Sequence, residues 1–364
     1  MKLNRSKIVG LVLVVLAVVV SGVATTIASH RSSQTLEVAN PTDVTGYLGG
    51  EKISLFDDPE FNAIASRAGL NVNYKKAGSL AMMTSDSSGM DYLFPSSQSA
   101  VDYGESEGVQ PKSSDIVFNT PIVVYTYKDI ADALVGAGIM SKGANGVYAL
   151  DVKAACDAML AGKTWTDLGY ANGYGDFKID STDPTQSNSG NEWAVLMATV
   201  LNGGQPATAD SIQRDAASLK TIFAKSGWMD TSSADSFSQF LVLGKGSKPM
   251  MVGYESQILD LAANEPDTYA QVKDDLVIAY TTPTIWSTHV FMALDDSGQK
   301  LRDVLLSDDV QKLAWQKHGF RGANLKGTGS VTDFGVTGAA ESVPAAIDLP
   351  TAAAMKELVE QLGS

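Results

Sequence analysis

Short hydroxyl, amide and glycine residues are concentrated where predicted strands end and a helix follows. The longest such segment is "STDPTQSNSGNEW" (181–193), which runs directly into the apolar segment "AVLMATVL". Similar segments are "LFDDPE", "KKAGSLAM", "FPSSQ" and "VGYESQIL". The first N–H groups of a helix are unpaired and carry partial positive charge, and neighbouring hydroxyl groups add further donors. Several such junctions that face one another would hold a small polar ligand, often an anion.

Each junction also has an explanation that requires no ligand. Ser189 and Glu192 have the S-x-x-E spacing of a capping box, in which both side chains pair with N–H groups of the helix itself. Glu192 in the first turn would also repel an anion, and Gly78 with Ser79 fits an ordinary turn. The repetition of these junctions at strand ends, rather than any single one, favours a binding site.

Strands alternate with helices along most of the chain, which predicts parallel α/β sheets. "KISLF" (52–56) alternates as the first strand, and Asp58 and Pro59 then fit the N-cap and first position of a helix. We therefore expect ordered structure to begin near Gly46.

Two long β-rich segments, 115–127 and 276–294, are each interrupted by a proline. They predict two lobes with a cleft between them, each lobe a mainly parallel sheet flanked by helices, joined by a hinge of two crossing strands. The first lobe would comprise residues 46–122 and 284–364, and the second lobe residues 123–283.

The N-terminus has the order of a secretory signal. Lys2, Arg5 and Lys7 precede the apolar run "IVGLVLVVLAVVV", and small residues follow it. An uncleaved membrane anchor is the competing interpretation, because the apolar character continues to about Ala28 and approaches the ~20 residues that span a bilayer. Both interpretations, a cleaved signal and an uncleaved anchor, place the rest of the chain outside the cytoplasmic membrane. We expect a signal or anchor over 1–28 and a polar tether over 29–45.

The composition limits the partners of the chain. Its 364 residues carry 41 acidic and 27 basic side chains, a formal net charge of −14, which repels nucleic acid and anionic lipid. Neutral donors in a cleft can still hold an anion. The single cysteine, Cys156, excludes a disulfide within the chain, and scattered histidines give no tetrahedral metal spacing. We expect neither a metal site nor a cofactor.

A serine hydrolase is poorly supported. "SNSGN" lacks the glycine that a nucleophile elbow has two positions before its serine. Of the histidines, His289 lies in an apolar strand and His318 at a helix end, where an imidazole commonly caps carbonyl groups. These features favour a protein that is not an enzyme.

Four segments in order carry a family resemblance: "AGS" after the second strand, "STDPTQSNSGN", "GYESQ" and "LSDDVQKLAWQKHGFRG". Over most of residues 46–324 the chain resembles the type II periplasmic or extracellular solute-binding proteins of ABC uptake systems. The resemblance is greatest to the branch that includes molybdate, sulfate and phosphate binders. It implies a monomer that closes on a small-molecule ligand and delivers it to an ABC transporter permease in the membrane.

The resemblance also implies ligand contacts from both lobes. In the first lobe these are Asp57 or Asp58, Gly78, Ser79, Ser96 and Ser97; in the second they are Thr182, Ser187, Asn188, Ser189, Gly190, Tyr254 and Glu255. An oxyanion site would tolerate the carboxylates of Asp57, Asp58 and Asp183 only if they accept a proton from the ligand or face away from it. We expect an extracytoplasmic protein that binds a small polar solute, first of all an oxyanion. A receptor for an amino acid, peptide or cation, and a surface-anchored sensory module with the same fold, are the alternatives.

Overall fold

The computed structural model describes residues 41–227, 229–343 and 346–364. The predicted signal or anchor and most of the predicted tether lie outside these ranges. Among the helices of the described ranges, none combines the length and apolar character needed to cross a bilayer.

The described residues form nine strands and fourteen α-helices. The strands are β1 (Thr42–Leu48), β2 (Leu70–Lys76), β3 (Tyr92–Phe94), β4 (Ser113–Tyr127), β5 (Met140–Lys142), β6 (Tyr148–Asp151), β7 (Met250–Tyr254), β8 (Leu276–Thr282) and β9 (Trp286–Ala293). The helices are α1 (Ile53–Asp57), α2 (Pro59–Arg67), α3 (Ser79–Thr84), α4 (Gln98–Ser106), α5 (Lys128–Gly136), α6 (Val152–Leu160), α7 (Asn188–Leu201), α8 (Ala209–Ala224), α9 (Ser233–Leu243), α10 (Glu255–Asn264), α11 (Pro266–Val272), α12 (Asp296–Leu305), α13 (Asp308–His318) and α14 (Ala352–Gly363). Two short 3-10 helices span Gly50–Lys52 and Val331–Phe334.

The long strand β4 belongs to two groups of strands. Its first part, up to Pro121, pairs antiparallel with β9, and its second part, from Ile122, pairs antiparallel with both β7 and β8. The first group also contains β1, β2 and β3, and the second also contains β5 and β6. We refer to these groups, with the helices that pack on them, as the first and second lobes. The chain passes between them along β4 and again between β8 and β9.

The predicted fold class, α/β with two lobes joined by crossing strands, is confirmed. Parallel pairs join β1 to β2 and β3 in the first lobe and β6 to β8 in the second. The crossing strands and the β5–β6 pair add antiparallel pairings, so the sheet is mixed. The exact division of the chain into lobes stays a prediction; α14, expected in the first lobe, packs against α8 and α4.

The prediction of the first strand is wrong. Residues 52–56 end a 3-10 helix and form most of α1, where Leu55 and Phe56 are both buried. The first strand is β1, which begins inside the predicted tether, buries alternate residues at its end and pairs with a strand on each side. The first strand–helix junction is therefore residues 49–51, several positions before the predicted Asp57.

Candidate functional site

A cavity of about 180 Å³ lies where residues that follow β1, β2 and β7 meet loops of the second lobe. Its lining contains three glycines, four serines and a tyrosine among fourteen residues: Gly49, Gly50, Glu51, Lys76, Ala77, Gly78, Ser79, Ser187, Asn188, Thr231, Ser232, Ser233, Asp235 and Tyr254. Both lobes contribute to this wall, as expected of an interlobe cleft.

The N-termini of three helices converge on the cavity. Ser187 is the N-cap of α7, Ser232 is the N-cap of α9, and Tyr254 is the N-cap of α10. Neither serine makes the usual capping hydrogen bond to its own helix. The Ser232 Oγ is also buried and has no hydrogen-bond partner among the described residues. The α7 and α9 ends therefore present uncapped donors and partial positive charge to the cavity, whereas in α10 the N–H of Ser256 donates to the Thr120 Oγ1 at 3.1 Å.

Contacts across the cleft hold the lobes together around the cavity. The backbone N–H of Leu80, in the first turn of α3, donates to the carbonyl oxygen of Gln186 at 3.1 Å. The Nζ of Lys76 lies 2.7 Å from both carboxylate oxygens of Asp235 at the cavity edge. The Asn188 amide donates to the Ser96 carbonyl at 3.0 Å. The two sides of the cleft thus contact each other directly beside the cavity, and α3 provides one of these contacts.

Glu51, which lines the cavity, forms a buried ion pair with Lys52. The Lys52 Nζ also donates to the Ser96 Oγ at 2.7 Å and lies 3.1 Å from His289 Nδ1. Burial alone would raise the pKa of Glu51, but the Lys52 ammonium, His289 and the hydrogen bonds from Lys52 and Ser96 together lower the pKa to about 2. Burial and the neighbouring Lys52 lower the pKa of His289 well below its ordinary value. Glu51 is therefore ionised and His289 is neutral.

A second buried layer consists of Asn188, Glu192, Tyr254 and Ser287. The Asn188 Nδ2 lies 3.1 Å from the Tyr254 hydroxyl and 3.0 Å from the Ser287 Oγ. Both carboxylate oxygens of Glu192 lack a hydrogen-bond partner among the described residues. Burial raises the pKa of Glu192 to about 8, so this carboxyl group is largely protonated at neutral pH. Burial also raises the pKa of Tyr254 well above its ordinary value.

The capping-box explanation of this junction is wrong. Helix α7 begins two residues earlier than that explanation requires, with Ser187 as its N-cap. The Ser189 Oγ instead lies 2.7 Å from the Thr182 Oγ1, and Glu192 turns into the protein interior. The helix is buried almost throughout its length, so the side chain of Glu192 is enclosed by protein.

Five of the predicted contact residues line the cavity: Gly78, Ser79, Ser187, Asn188 and Tyr254. Five others lie behind its wall. Ser96 supports Lys52, Ser97 caps α4 through Ala100, Thr182 pairs with Ser189, and Gly190 packs so closely on the Thr182 carbonyl that a Cβ would not fit. These residues shape the site without lining it.

Asp57 and Glu255 are not brought to the cavity lining. Asp57 ends α1 and accepts a hydrogen bond from the Tyr74 hydroxyl at 2.8 Å, and its neighbour Asp58 caps α2 through the N–H of Glu60. Glu255 is fully buried and is held by the Arg321 guanidinium at 2.9 Å and 3.0 Å. The carboxylate of Glu255 thus forms a buried ion pair with Arg321 and does not face the cavity.

Sequence reasoning missed the segments 49–51 and 231–235. Both have the same composition as the junctions that were recognised: "LGGEK" follows β1, and "DTSSAD" begins α9. The first was missed because the strand before it was misplaced. The second follows a loop, and no predicted strand marked it as a junction.

Comparison with solved structures identifies the fold as that of type II periplasmic binding proteins. The apo ferric ion-binding protein A of Pasteurella haemolytica matches with a TM-score of 0.55 and 13% identity, covering 89% of this chain and 96% of that chain. The sulfate-binding protein SubI of Mycobacterium tuberculosis matches with a TM-score of 0.53 and 14% identity, covering 88% and 96%.

A third match is the Trichodesmium protein FutA (IdiA) in complex with iron and citrate, with a TM-score of 0.51 and 10% identity, covering 88% of this chain and 98% of that chain. At such identities the likeness concerns the fold alone. No protein-family model matches the chain, and neither does any curated protein sequence. The resemblance expected from the sequence motifs is thus confirmed in three dimensions.

Proposed function

We propose that this chain is an extracytoplasmic solute-binding protein that captures a small oxyanion in the cavity between its lobes and presents it to an ABC-type permease. The observation that carries the proposal is the convergence of the α7, α9 and α10 N-termini on one cavity, with the buried Ser232 hydroxyl unpartnered. Unpaired N–H groups and hydroxyl groups are the donors that suit an oxyanion. Binding would proceed by hinge closure, without catalysis.

The charges on the wall favour an oxyanion that carries a proton. Glu51 lines the cavity and is ionised. Lys52 and Ser96 both donate to its Oε1, so its Oε2 remains available to accept a hydrogen bond from the solute. A carboxylate accepts a hydrogen bond from a protonated oxyanion but repels one without a proton. Lys76 and Asp235 neutralise each other at the cavity edge. We therefore expect hydrogen phosphate or arsenate to bind more tightly than sulfate or molybdate.

A cationic or zwitterionic solute is the second candidate. Glu51 and Asp235 bring two carboxylates to the lining, and the Tyr254 hydroxyl adds an oxygen. Two of the structural neighbours are named for binding ferric ion or hold iron with citrate. Within the described ranges no group of three or more His, Cys, Asp or Glu residues has the geometry to hold a metal ion.

A Ser–His–Asp group outside the cavity does not support a hydrolase. The Ser54 Oγ lies 3.2 Å from His318 Nδ1, and His318 Nε2 lies 3.3 Å from Asp58. The same Ser54 hydroxyl donates to Asp260 at 2.9 Å, so its proton is directed to a carboxylate rather than to the imidazole. We interpret this cluster as a polar contact between α1 and α13 of the first lobe and α10 of the second.

A thermal-shift panel in buffer free of phosphate and sulfate tests the proposal. The purified chain is heated with phosphate, arsenate, sulfate, molybdate, amino acids, short peptides or divalent cations. A ligand at about a hundred times its Kd adds roughly 2.7 kcal/mol of stability, which gives a clear rise in Tm. We expect the largest rise with phosphate or arsenate.

Matched serine variants locate the site. Ser232→Ala should weaken phosphate binding about 10- to 100-fold, since a hydrogen bond to a charged group contributes roughly 1.5–3 kcal/mol. Ser66→Ala, at an exposed position of α2, is the control and should bind as the wild type does. No rise with any anion would overturn the proposal, and a rise with a cation or amino acid alone would favour the second candidate.

A further inference from the structure

The cavity continues into a wider groove between α1 and the helices α9 and α10. The groove has a volume of about 540 Å³ and shares Gly50, Glu51, Lys76 and Asp235 with the cavity lining. The Lys76–Asp235 ion pair lies where the two meet, and both of its side chains are partly exposed. The two spaces are therefore compartments of one cleft rather than separate sites.

The groove differs from the cavity in chemistry. Its wall includes six apolar side chains: Ile53, Ala234, Phe237, Leu241, Val242 and Leu261. Val242 is 83% exposed, although it is a branched apolar side chain. Ser256 also belongs to the groove lining, and its buried Oγ has no hydrogen-bond partner among the described residues. An apolar wall with an unpartnered buried hydroxyl group is typical of a small-molecule site.

The sizes of the two compartments indicate different occupants. Small-molecule sites usually have roughly 300–1,000 Å³, a range that includes the groove but exceeds the cavity of about 180 Å³. The cavity accommodates a group of a few atoms and supplies anion donors. An inorganic anion bound there would leave the apolar groove filled only with water.

We propose that the solute is a small organic anion, whose charged head occupies the cavity and whose apolar body lies along the groove against Phe237, Leu241 and Leu261. This inference rests on the proposed function, since the head group uses the same helix N-termini. It narrows the solute class from an oxyanion to an organic phosphonate-like or phosphate-like compound.

The rim of the groove restricts the far end of the solute. Asp260 and Glu265 lie on its wall, and Lys76, the one lysine or arginine of the groove lining, is paired with Asp235. A second acidic group on the solute would therefore be repelled, whereas an amino group would be attracted. The groove thus favours a neutral or amine-bearing body over a diacid.

Calorimetric titration of the purified chain with a graded series tests the inference. The probes are inorganic phosphate, methylphosphonate, ethylphosphonate and propylphosphonate, with 3-aminopropylphosphonate and 3-phosphonopropionate as the charged pair. Each added methylene should tighten Kd about fourfold, the change that corresponds to ~0.8 kcal/mol per buried methylene. The amine should bind more tightly than the diacid.

A matched pair of leucine variants locates the body of the solute. Leu241→Gln should weaken propylphosphonate at least fivefold and leave phosphate unchanged. Leu306→Gln, at a partly exposed position after α12 that lines neither compartment, should leave both unchanged. Equal Kd values for phosphate and propylphosphonate, or an unaffected Leu241→Gln, would overturn the inference and leave the proposed function intact. No binding by any member of the series would overturn the proposed function as well.

Discussion

Glu192 lies in the second turn of α7, and neither of its carboxylate oxygens is paired among the described residues. Burial raises the pKa of this carboxyl group. The neighbouring Asn188 and Ser287 side chains lower the pKa in part, and the ionised Glu51 raises it further. An unpaired buried carboxylate is costly, and the group avoids this cost by keeping its proton. Of the two carboxyl groups Glu51 and Glu192, only Glu51 therefore carries a negative charge.

The raised pKa of Glu192 predicts a pH-dependent stability. The folded chain keeps this proton up to about pH 8, whereas the unfolded chain loses it near the ordinary pKa of 4.5. The free energy of unfolding contributed by this group therefore falls as pH rises between these values and levels off above pH 8. Glu192→Gln removes that fall, because the amide does not titrate. We expect the variant to be up to a few kcal/mol more stable than wild type at pH 8.

Urea denaturation at pH 5, 6.5 and 8 measures this difference. The stability of Glu192→Gln relative to wild type should grow across the series and be smallest at pH 5. Glu105→Gln, at an exposed position of α4, is the control and should give a constant difference. A difference for Glu192→Gln that does not change with pH would contradict the burial of an uncharged carboxyl group at this position.

Individual site residues were predictable where they belong to a junction that was recognised. Gly78, Ser79, Ser187, Asn188 and Tyr254 line the cavity as expected. Asp57 does not, because the strand before it was misplaced. The pairing of Glu255 with Arg321 depends on two positions 66 residues apart, which spacing in one sequence does not reveal.

At the level of elements, the short helix α3 takes part in closure. The N–H groups of Leu80 and Ala81 both donate to the Gln186 carbonyl across the cleft. Gly78 precedes this helix with backbone angles open to any residue, φ −68° and ψ 154°. A Cβ at Gly78 would nevertheless collide with the Gln186 carbonyl oxygen. Glycine is therefore needed here for the approach of the two lobes rather than for local conformation.

Gly78→Ala should impair closure while preserving the fold of each lobe. Relief of the collision requires the lobes to separate, and overpacking of this kind costs roughly 1–3 kcal/mol. We expect phosphate to bind about 5- to 150-fold more weakly, as measured by calorimetric titration. Gly136→Ala is the control, since a Cβ there, at the end of α5, meets open space. Unchanged phosphate affinity in Gly78→Ala would contradict the role of this contact.

The elements themselves were predictable to different degrees. The two crossing segments were found because each is long, rich in β-branched residues and interrupted by a proline. β1 was missed because its alternation is carried by a valine, a glycine and a leucine within a polar segment. Its place between two other strands, which explains its burial, is a tertiary feature that the local pattern does not contain.

At the scale of the whole molecule, the lobes are joined by β4 and by the passage from β8 to β9, and both passages lie behind the cleft. The contacts across the cleft beside the cavity include polar ones: an ion pair, an amide to a carbonyl, and the first N–H groups of α3. Such contacts are weak individually, so a bound solute that adds hydrogen bonds from both lobes would shift the population toward the closed form. This is the behaviour expected of a binding protein that captures and releases its solute.

The position of a bound oxyanion in a crystal tests most directly whether the interlobe cavity is the binding site. Crystals grown with arsenate, in the absence of phosphate and sulfate, would give an anomalous difference map that locates arsenic without reference to the protein. We expect a peak in the interlobe cavity, where the arsenate oxygens lie within hydrogen-bonding reach of Ser187 and Ser232. A cavity without a peak, in crystals grown at an arsenate concentration that saturates a site elsewhere on the chain, would contradict it.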